Sequence, residues 1–109
     1  MTSPSSGNTP SRVTVSIDSD LEELVPGFLE NRRKDAATLA RAVQTQDVKT
    51  VRLLGHRMKG DGGGYGFDAI SIMGAALEQA AAREDRDAIR RHIAELADFL
   101  ARVTVVYRR

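Results

Sequence analysis

The stretch DRDAIRRHIAELADFLARVTVVYRR, residues 85–109, has the clearest periodic pattern in the chain. Its apolar residues follow one another at intervals of four, three, four, three and four, the spacing of one face of an α-helix. They are Ile89, Ile93, Leu96, Leu100, Val103 and Tyr107. The pattern predicts a helix with a single apolar stripe that continues to Tyr107. Such a helix is stable only when the stripe packs against other elements.

Three segments upstream have the same kind of stripe, and no proline follows Pro26 to interrupt them. Pro26 suits the first turn of the first segment, and Asp47 suits the N-cap of the second. The stripes are Val25, Phe28, Leu29, Ala36, Leu39, Ala40 and Val43; Val48, Val51, Leu54 and Met58; and Phe67, Ile70, Gly74, Leu77 and Ala81. Four such helices with short connections predict an all-α fold. We expect an antiparallel up-down-up-down four-helix bundle with a short N-terminal lead-in helix around residues 20–24.

Composition narrows the class of protein. A chain of 109 residues corresponds to one domain, and 16 Lys plus Arg against 15 Asp plus Glu give a formal net charge of +1. This balance supplies no general attraction to nucleic acid or to an anionic membrane. The chain has no cysteine and no long apolar run, so we expect a cytoplasmic protein without disulfides. Residues 1–17 are rich in Ser and Thr and predict a flexible leader, and residues 18–109 predict the bundle.

The glycines are distributed unevenly, because six of the nine lie between Gly55 and Gly66. Gly55 directly precedes His56, and the other five follow it in the segment HRMKGDGGGYGF, residues 56–67. On a helix, His56 lies about 140–160° from the apolar stripe of its own segment, which predicts an exposed imidazole. Arg52 and Lys59 share its face, and so do two of the glycines, Gly60 and Gly63.

Glycine inside a helix costs about 1 kcal/mol relative to alanine, so four helical glycines at residues 60 and 62–64 cost roughly 4 kcal/mol. This cost favours a helix that ends at Gly60 and is followed by a loop. The alternative is a helix whose bare face lets a partner's backbone or a phosphoryl group approach His56. Phosphate-loop motifs do not fit: Phe67 and Asp68 follow Gly66 where Lys and Ser or Thr are required, and the segment before the glycines has helical rather than strand periodicity.

The segment resembles the signature of the histidine-containing phosphotransfer (HPt) domain. In that signature the phosphorylated His is followed by an apolar residue, Lys, Gly, a small residue, an apolar residue and Gly at fixed distances. His56, Met58, Lys59, Gly60, Gly62, Tyr65 and Gly66 occupy these positions. The resemblance extends from about Leu21 to Tyr107. The chain departs from it at Asp61, where such domains usually have Ser or Ala, and at Tyr65, which is bulkier than the usual aliphatic residue.

The resemblance implies an intermediate of a two-component phosphorelay. His56 would accept a phosphoryl group from the aspartyl phosphate of a receiver domain and pass it to another receiver. Lys59 would stabilise the phosphoryl group, with Arg52 as the lesser candidate. The partner-binding face would consist of Gly60, Gly62, Gly63, Gly64, Tyr65 and Arg57.

The resemblance also bears on cofactors and partners. We expect a monomeric phosphoryl carrier without a kinase or ATP site and without a cofactor of its own, the Mg²⁺ belonging to the partner receiver. Partners would be response-regulator receiver domains and a hybrid histidine kinase. Neither nucleic acid nor a membrane is expected as a partner.

Other functions were weighed against this one. The dimerisation helix of a histidine kinase has an acidic residue directly after its His and a proline a few positions later. Here Arg57 follows His56, and no proline comes after it. A metal site would need further ligands beside the single exposed His. His92 adjoins the stripe of the last helix and is expected to be an ordinary flanking residue. A helical adaptor that binds a receiver or kinase without being phosphorylated remains the alternative, and Asp61 is the feature that favours it.

Overall fold

The computed structural model describes residues 11–109, which form four α-helices and two short strands. The elements in chain order are β1 (Val13–Asp18), α1 (Val25–Gln44), α2 (Val48–Gly64), α3 (Asp68–Ala82), α4 (Arg86–Arg102) and β2 (Val103–Arg108). A single 3-10 turn at Ser19–Leu21 lies where the lead-in helix was expected. None of the helices within residues 11–109 is long and apolar enough to cross a membrane.

Local signals in the sequence place the helix starts. Pro26 lies in the first turn of α1. The carboxylate of Asp47 accepts the backbone N–H of Thr50 at 3.1 Å and its hydroxyl at 2.6 Å, which caps α2. These two hydrogen bonds hold the pKa of Asp47 below its ordinary value, and the bond from the hydroxyl has the larger effect. Asp85 caps α4 in the same way through the N–H of Ala88.

The predicted stripes form one apolar core. The residues of α2, α3 and α4 that the periodicity selected up to Leu100 are buried or partly buried, and Met58, Ile70, Leu77 and Leu96 are fully enclosed. In α1 the pattern is wrong at one position, because Ala40 is exposed and Ala42 is buried instead. The four predicted helices are therefore confirmed, and the up-down-up-down order of the whole bundle stays a prediction.

Helices α2 and α3 approach each other most closely. A Cβ atom added to Gly74 would lie 2.5 Å from the backbone N of Lys59 and 2.7 Å from the carbonyl oxygen of Gly55. A Cβ on Gly55 would lie 2.7 Å from the backbone N of Glu78. These contacts confirm the prediction that Gly74 lets a neighbouring helix come close. They also show that α2 and α3 run antiparallel, because the earlier residue Gly55 of α2 contacts the later residue Glu78 of α3, and the later Lys59 contacts the earlier Gly74.

The all-α prediction is wrong at the two ends of the described chain. Helix α4 ends at Arg102, and Val103–Arg108 form β2, which pairs in parallel with β1 from Val13↔Val103 to Asp18↔Arg108. The interval from Leu100 to Val103 and on to Tyr107 imitates a helix. The run of Val and Thr from residue 103 to 106, however, prefers an extended backbone, and β1 supplies the strand that it needs.

The predicted leader ends earlier than expected. Residues 13–17 belong to β1, where Ile17 is buried against the core and Val13 and Val15 are partly buried. Residues 1–10 lie outside the described residues. The alternation of apolar and polar residues in VTVSID indicates a half-buried strand, but a six-residue strand is stable only with a partner, and that partner is far away in the sequence.

We expect Gly74→Ala to lower the free energy of unfolding by about 1–3 kcal/mol, because its methyl group would collide with the backbone of α2. Gly27→Ala is the matched control, since a Cβ at Gly27 meets nothing within 4 Å in α1. That variant should gain up to about 1 kcal/mol from helix propensity. Urea unfolding of both variants measures the difference. Equal effects would contradict the close packing of α2 and α3.

Candidate functional site

His56 lies on the outward face of α2, away from the core, and its side chain is 65% exposed. The buried residues Val51, Leu54, Gly55 and Met58 fix the orientation of the helix around it. The sequence prediction of an exposed imidazole is therefore confirmed.

A carboxylate from the neighbouring helix contacts the imidazole. Oε2 of Glu78, in α3, lies 2.9 Å from Nδ1 of His56. Its other oxygen, Oε1, lies 2.8 Å from Nζ of Lys59. Glu78 thus joins the histidine and the lysine that lie on the same face of α2.

This arrangement determines which ring nitrogen is available. The hydrogen bond from Lys59 and, second, that from His56 hold the pKa of Glu78 below its ordinary value, so the carboxylate is ionised at neutral pH. An ionised carboxylate only accepts hydrogen bonds, and the proton between the two groups therefore belongs to Nδ1. In the neutral imidazole, Nε2 then carries the lone pair and is the ring nitrogen with the capacity to act as a nucleophile.

Glu78 is the site residue that the sequence prediction missed. It belongs to the LEQA segment at residues 77–80, but no pattern within α3 marks it as a partner of His56. The signal lies in the glycines. Gly55 and Gly74 are the positions at which the two helices can touch. A Cβ on Gly55 would lie 2.7 Å from the backbone N of Glu78, so this contact brings Glu78 next to the residue that precedes His56.

The glycine-rich segment continues as helix to Gly64, so the expectation of a loop after Gly60 is wrong. Ser71 donates its hydroxyl to the carbonyl oxygen of Lys59 at 2.6 Å, and α3 packs along this end of α2. That packing offsets the low helix propensity of the glycines. The chain leaves the helix at Gly66, whose φ of +85° is a left-handed conformation that favours glycine.

The glycines fall into two groups with different roles. Gly60, Gly63 and Gly64 are exposed, and a Cβ added to any of them meets nothing within 4 Å. Gly62 was predicted to bind a partner, but it is buried. A Cβ there would lie 2.5 Å from the backbone N of Ser71. Its role is to let α3 pack against α2, and the bare surface near His56 consists of the other three.

Two residues that depart from the HPt pattern are tied to α1. The carboxylate of Asp61 lies 3.6 Å from Nη1 of Arg32, so its charge is partly compensated. The ring of Tyr65 is half-buried and stacks on Phe28 with 4.4 Å between centroids. The guanidinium of Arg32 covers the same Phe28 ring at 5.0 Å. This cluster holds the glycine-rich end of α2 against α1.

The outward face of α2 is basic. Lys49, Arg52 and Arg57 are exposed, and within residues 11–109 none of them has a carboxylate within 4.0 Å. Leu53, half exposed, lies among them. The net charge of +1 therefore conceals a local concentration of positive charge beside His56.

The remaining predictions about the site concern metals and His92. Residues 11–109 contain no group of three or more His, Cys, Asp or Glu side chains that could hold a metal ion. His92, in α4, contacts Glu95 one turn later at 2.9 Å, and its side chain is 22% exposed. The two side chains form a contact within one helix, and they do not belong to the cluster around His56.

The family model of the Hpt domain matches residues 23–104, about three quarters of the chain. The chain belongs to the HPt family. Hpt domains take part in phosphorelays as phosphocarriers rather than as kinases, and they interact there with receiver and kinase proteins. No curated protein and no solved structure matches the chain.

The two roles of the glycines lead to opposite expectations for stability. Gly62→Ala should lower the free energy of unfolding by about 1–3 kcal/mol, because its methyl group would push α3 from α2. Gly60→Ala should raise it by up to about 1 kcal/mol, because the site is open and alanine favours the helix. Thermal and urea unfolding check both. A stabilising Gly62→Ala would refute the assignment of Gly62 to packing.

Proposed function

We propose that this protein is a histidine phosphotransfer carrier in which Nε2 of His56 accepts the phosphoryl group. The hydrogen bond between Nδ1 of His56 and Glu78 supports this assignment, because it leaves Nε2 as the free nucleophile on an exposed ring. The carrier would take phosphate from a receiver-domain aspartyl phosphate and deliver it to another receiver. A hybrid histidine kinase is a further candidate partner.

The transfer step is a single displacement at phosphorus. The lone pair of Nε2 attacks as the bond between phosphorus and the aspartyl oxygen breaks, and the receiver carboxylate leaves with the electron pair. Delivery to the next receiver is the reverse reaction with a different carboxylate. The proton on Nδ1 stays in its bond to Glu78 throughout, so no proton has to leave the site.

Charge on the transferring group has to be stabilised by fixed cations. Lys59 is held beside His56 by Glu78, and it can turn from Oε1 of Glu78 towards a phosphoryl oxygen. Arg52 is the lesser candidate because, among residues 11–109, no carboxylate lies within 4.0 Å of it to fix its position. The Mg²⁺ that neutralises an aspartyl phosphate would belong to the receiver, and the carrier itself would need no cofactor.

The surface around His56 suits a protein partner that comes close. Gly60, Gly63 and Gly64 present no side chains, so the partner's loops can reach Nε2. Arg57 and the other cations of α2 would attract an acidic rim, and the exposed edge of Tyr65 would border the contact. We propose that the carrier acts as a monomer in the cytoplasm.

The non-phosphorylated adaptor is the competing function. Asp61 was its support, and the contact of Asp61 with Arg32 weakens the argument, because the guanidinium compensates part of the charge of this carboxylate. The two functions differ in whether a covalent phosphohistidine forms.

Incubation with a labelled phospho-receiver should label the wild-type chain, and the label should be lost in acid, as expected of a phosphoramidate bond. His56→Gln should abolish the labelling, because glutamine cannot form that bond. His92→Gln is the matched control, since it removes the other histidine, and its labelling should equal that of the wild type. Undiminished labelling of His56→Gln would refute the site. Tight binding of the receiver with no label on the wild type would favour the adaptor.

Gly63→Leu should slow transfer from the phospho-receiver by about tenfold or more, because the added side chain keeps the receiver from reaching Nε2. The helix should persist, since the position is open. Gly27→Leu provides the same substitution at an equally open position in α1 and should leave transfer unchanged. Circular dichroism verifies that both variants are folded. An unchanged transfer rate in Gly63→Leu would show that the bare surface plays no part in docking.

A further inference from the structure

The contact between Glu78 and His56 lies on the side of the ring that phosphorylation leaves untouched. Oε2 of Glu78 is 2.9 Å from Nδ1, whereas a phosphoryl group would occupy Nε2. The Glu78 side chain is 21% exposed, so most of it is covered by the protein. The carboxylate therefore keeps its place beside Nδ1 when the ring is phosphorylated.

The phosphorylated ring has two protonation states, and the carboxylate distinguishes them. With a proton on Nδ1 and a phosphoryl group on Nε2 the ring is an imidazolium cation, which donates a hydrogen bond to Glu78. Without that proton the ring is neutral, and Nδ1 presents a lone pair to an oxygen that also only accepts hydrogen bonds. The contact at 2.9 Å is attractive in the first state and repulsive in the second. Glu78 therefore favours the cationic ring.

The charges of the phosphorylated cluster favour the same state. The phosphoryl group and the carboxylate together have about 2.5 to 3 negative charges. Lys59, with Nζ 2.8 Å from Oε1 of Glu78, supplies one positive charge. A proton on Nδ1 adds a second positive charge and brings the cluster closer to neutrality.

The other charged groups near the site act on the ring more weakly. Arg52 and Arg57, on α2, are exposed, so water and salt screen them. Asp61, also on α2, is partly compensated by Arg32 of α1 at 3.6 Å. Among residues 11–109, Glu78 is the one carboxylate that lies within 4.0 Å of the imidazole. The state of the phosphorylated ring therefore depends mainly on Glu78.

We propose that Glu78 is a positioning residue that keeps the proton on Nδ1 of phosphorylated His56, so that the phosphoryl group is delivered from a cationic ring. The inference rests on the proposed function and extends it to the release step. During delivery an oxygen of the receiver carboxylate forms the new P–O bond, and the N–P bond breaks with its electron pair returning to Nε2. From the cationic ring the leaving group is neutral imidazole, with its proton still on Nδ1. From the neutral ring it would be the imidazolate anion, a much stronger base that leaves more slowly.

Glu78→Gln removes this preference without removing the side chain. The amide oxygen of glutamine accepts a hydrogen bond from a protonated Nδ1, and its NH₂ group donates one to an unprotonated Nδ1. The variant therefore accommodates both states of the ring. A single charge a few ångströms away at a protein surface changes such a proton equilibrium by about tenfold, which corresponds to one pH unit.

The experiment measures the rate of delivery to one receiver domain as a function of pH. The chain is phosphorylated beforehand with phosphoramidate, so that loading of His56 needs neither a kinase nor a receiver. At low pH the wild type and Glu78→Gln should deliver at similar rates, because both rings are protonated. The rate of Glu78→Gln should then fall about one pH unit earlier, so that the wild type is about tenfold faster in alkaline solution.

Glu95→Gln is the matched control for the loss of one carboxylate. It removes the charge that contacts Nδ1 of His92, also at 2.9 Å, and should leave the pH profile of delivery unchanged. A profile that Glu78→Gln lowers by the same factor at every pH would overturn the inference, because that result indicates a purely structural role.

Nitrogen NMR of the phosphorylated chain observes the proton directly, and His56→Gln identifies the signals that belong to His56. In the wild type, Nδ1 should keep its proton at a pH at which Glu78→Gln has lost it. Loss of the proton at the same pH in both proteins would overturn the inference. If a phospho-receiver never labels the wild-type chain, the proposed function fails instead. The NMR comparison does not depend on a receiver, so the two failures are distinguishable.

Discussion

The contact between α2 and α3 is the constraint on which the rest of the site depends. Two helices can lie this close only where side chains are missing at the crossing, and Gly55, Gly62 and Gly74 provide three such positions along the contact. The close approach brings the backbone of α3 against that of α2 over several turns. It lets Ser71 reach the carbonyl oxygen of Lys59 and Glu78 reach the imidazole of His56. Longer side chains at these positions would separate the histidine from the group that orients it.

The same contact explains how a glycine-rich segment stays helical. Each glycine lowers helix propensity, but the packing of α3 along one side of α2 and the aromatic cluster of Phe28, Tyr65 and Phe67 on the other hold its end in place. The exposed glycines then provide a bare surface without a loss of order. The buried side of α2 stabilises the helix by packing, and the exposed glycines on its other side leave His56 accessible.

His56, Lys59 and Glu78 form a cluster in which one carboxylate contacts both the imidazole and the ammonium group. A carboxylate at Nδ1 fixes the tautomer, which a neutral hydrogen-bond acceptor could also do. The exposed cations of α2 act at longer range, because they create a local positive potential on this face.

How much of this could be predicted from the sequence depends on the range of the interactions. The four helices, their buried faces, the cap at Asp47 and the exposure of His56 follow from residue spacing, and the structure confirms them. The strands could not be predicted with the same method, because Val103–Arg108 continue the helical spacing of α4 and become extended only by pairing with Val13–Asp18 at the other end of the chain. Gly62 was misassigned for a related reason, since a glycine on a helix looks the same in sequence whether it faces solvent or another helix.

The sequence by itself determined that His56 and Lys59 lie on the exposed face of a helix, because helix periodicity is a local property of the chain. Only the tertiary structure decided what faces them. It placed Glu78 against His56 and Lys59, turned Asp61 towards Arg32, and separated the packing glycine Gly62 from its exposed neighbours. Contacts between helices depend on which surfaces meet and how closely, and that information is spread over residues distant in the sequence.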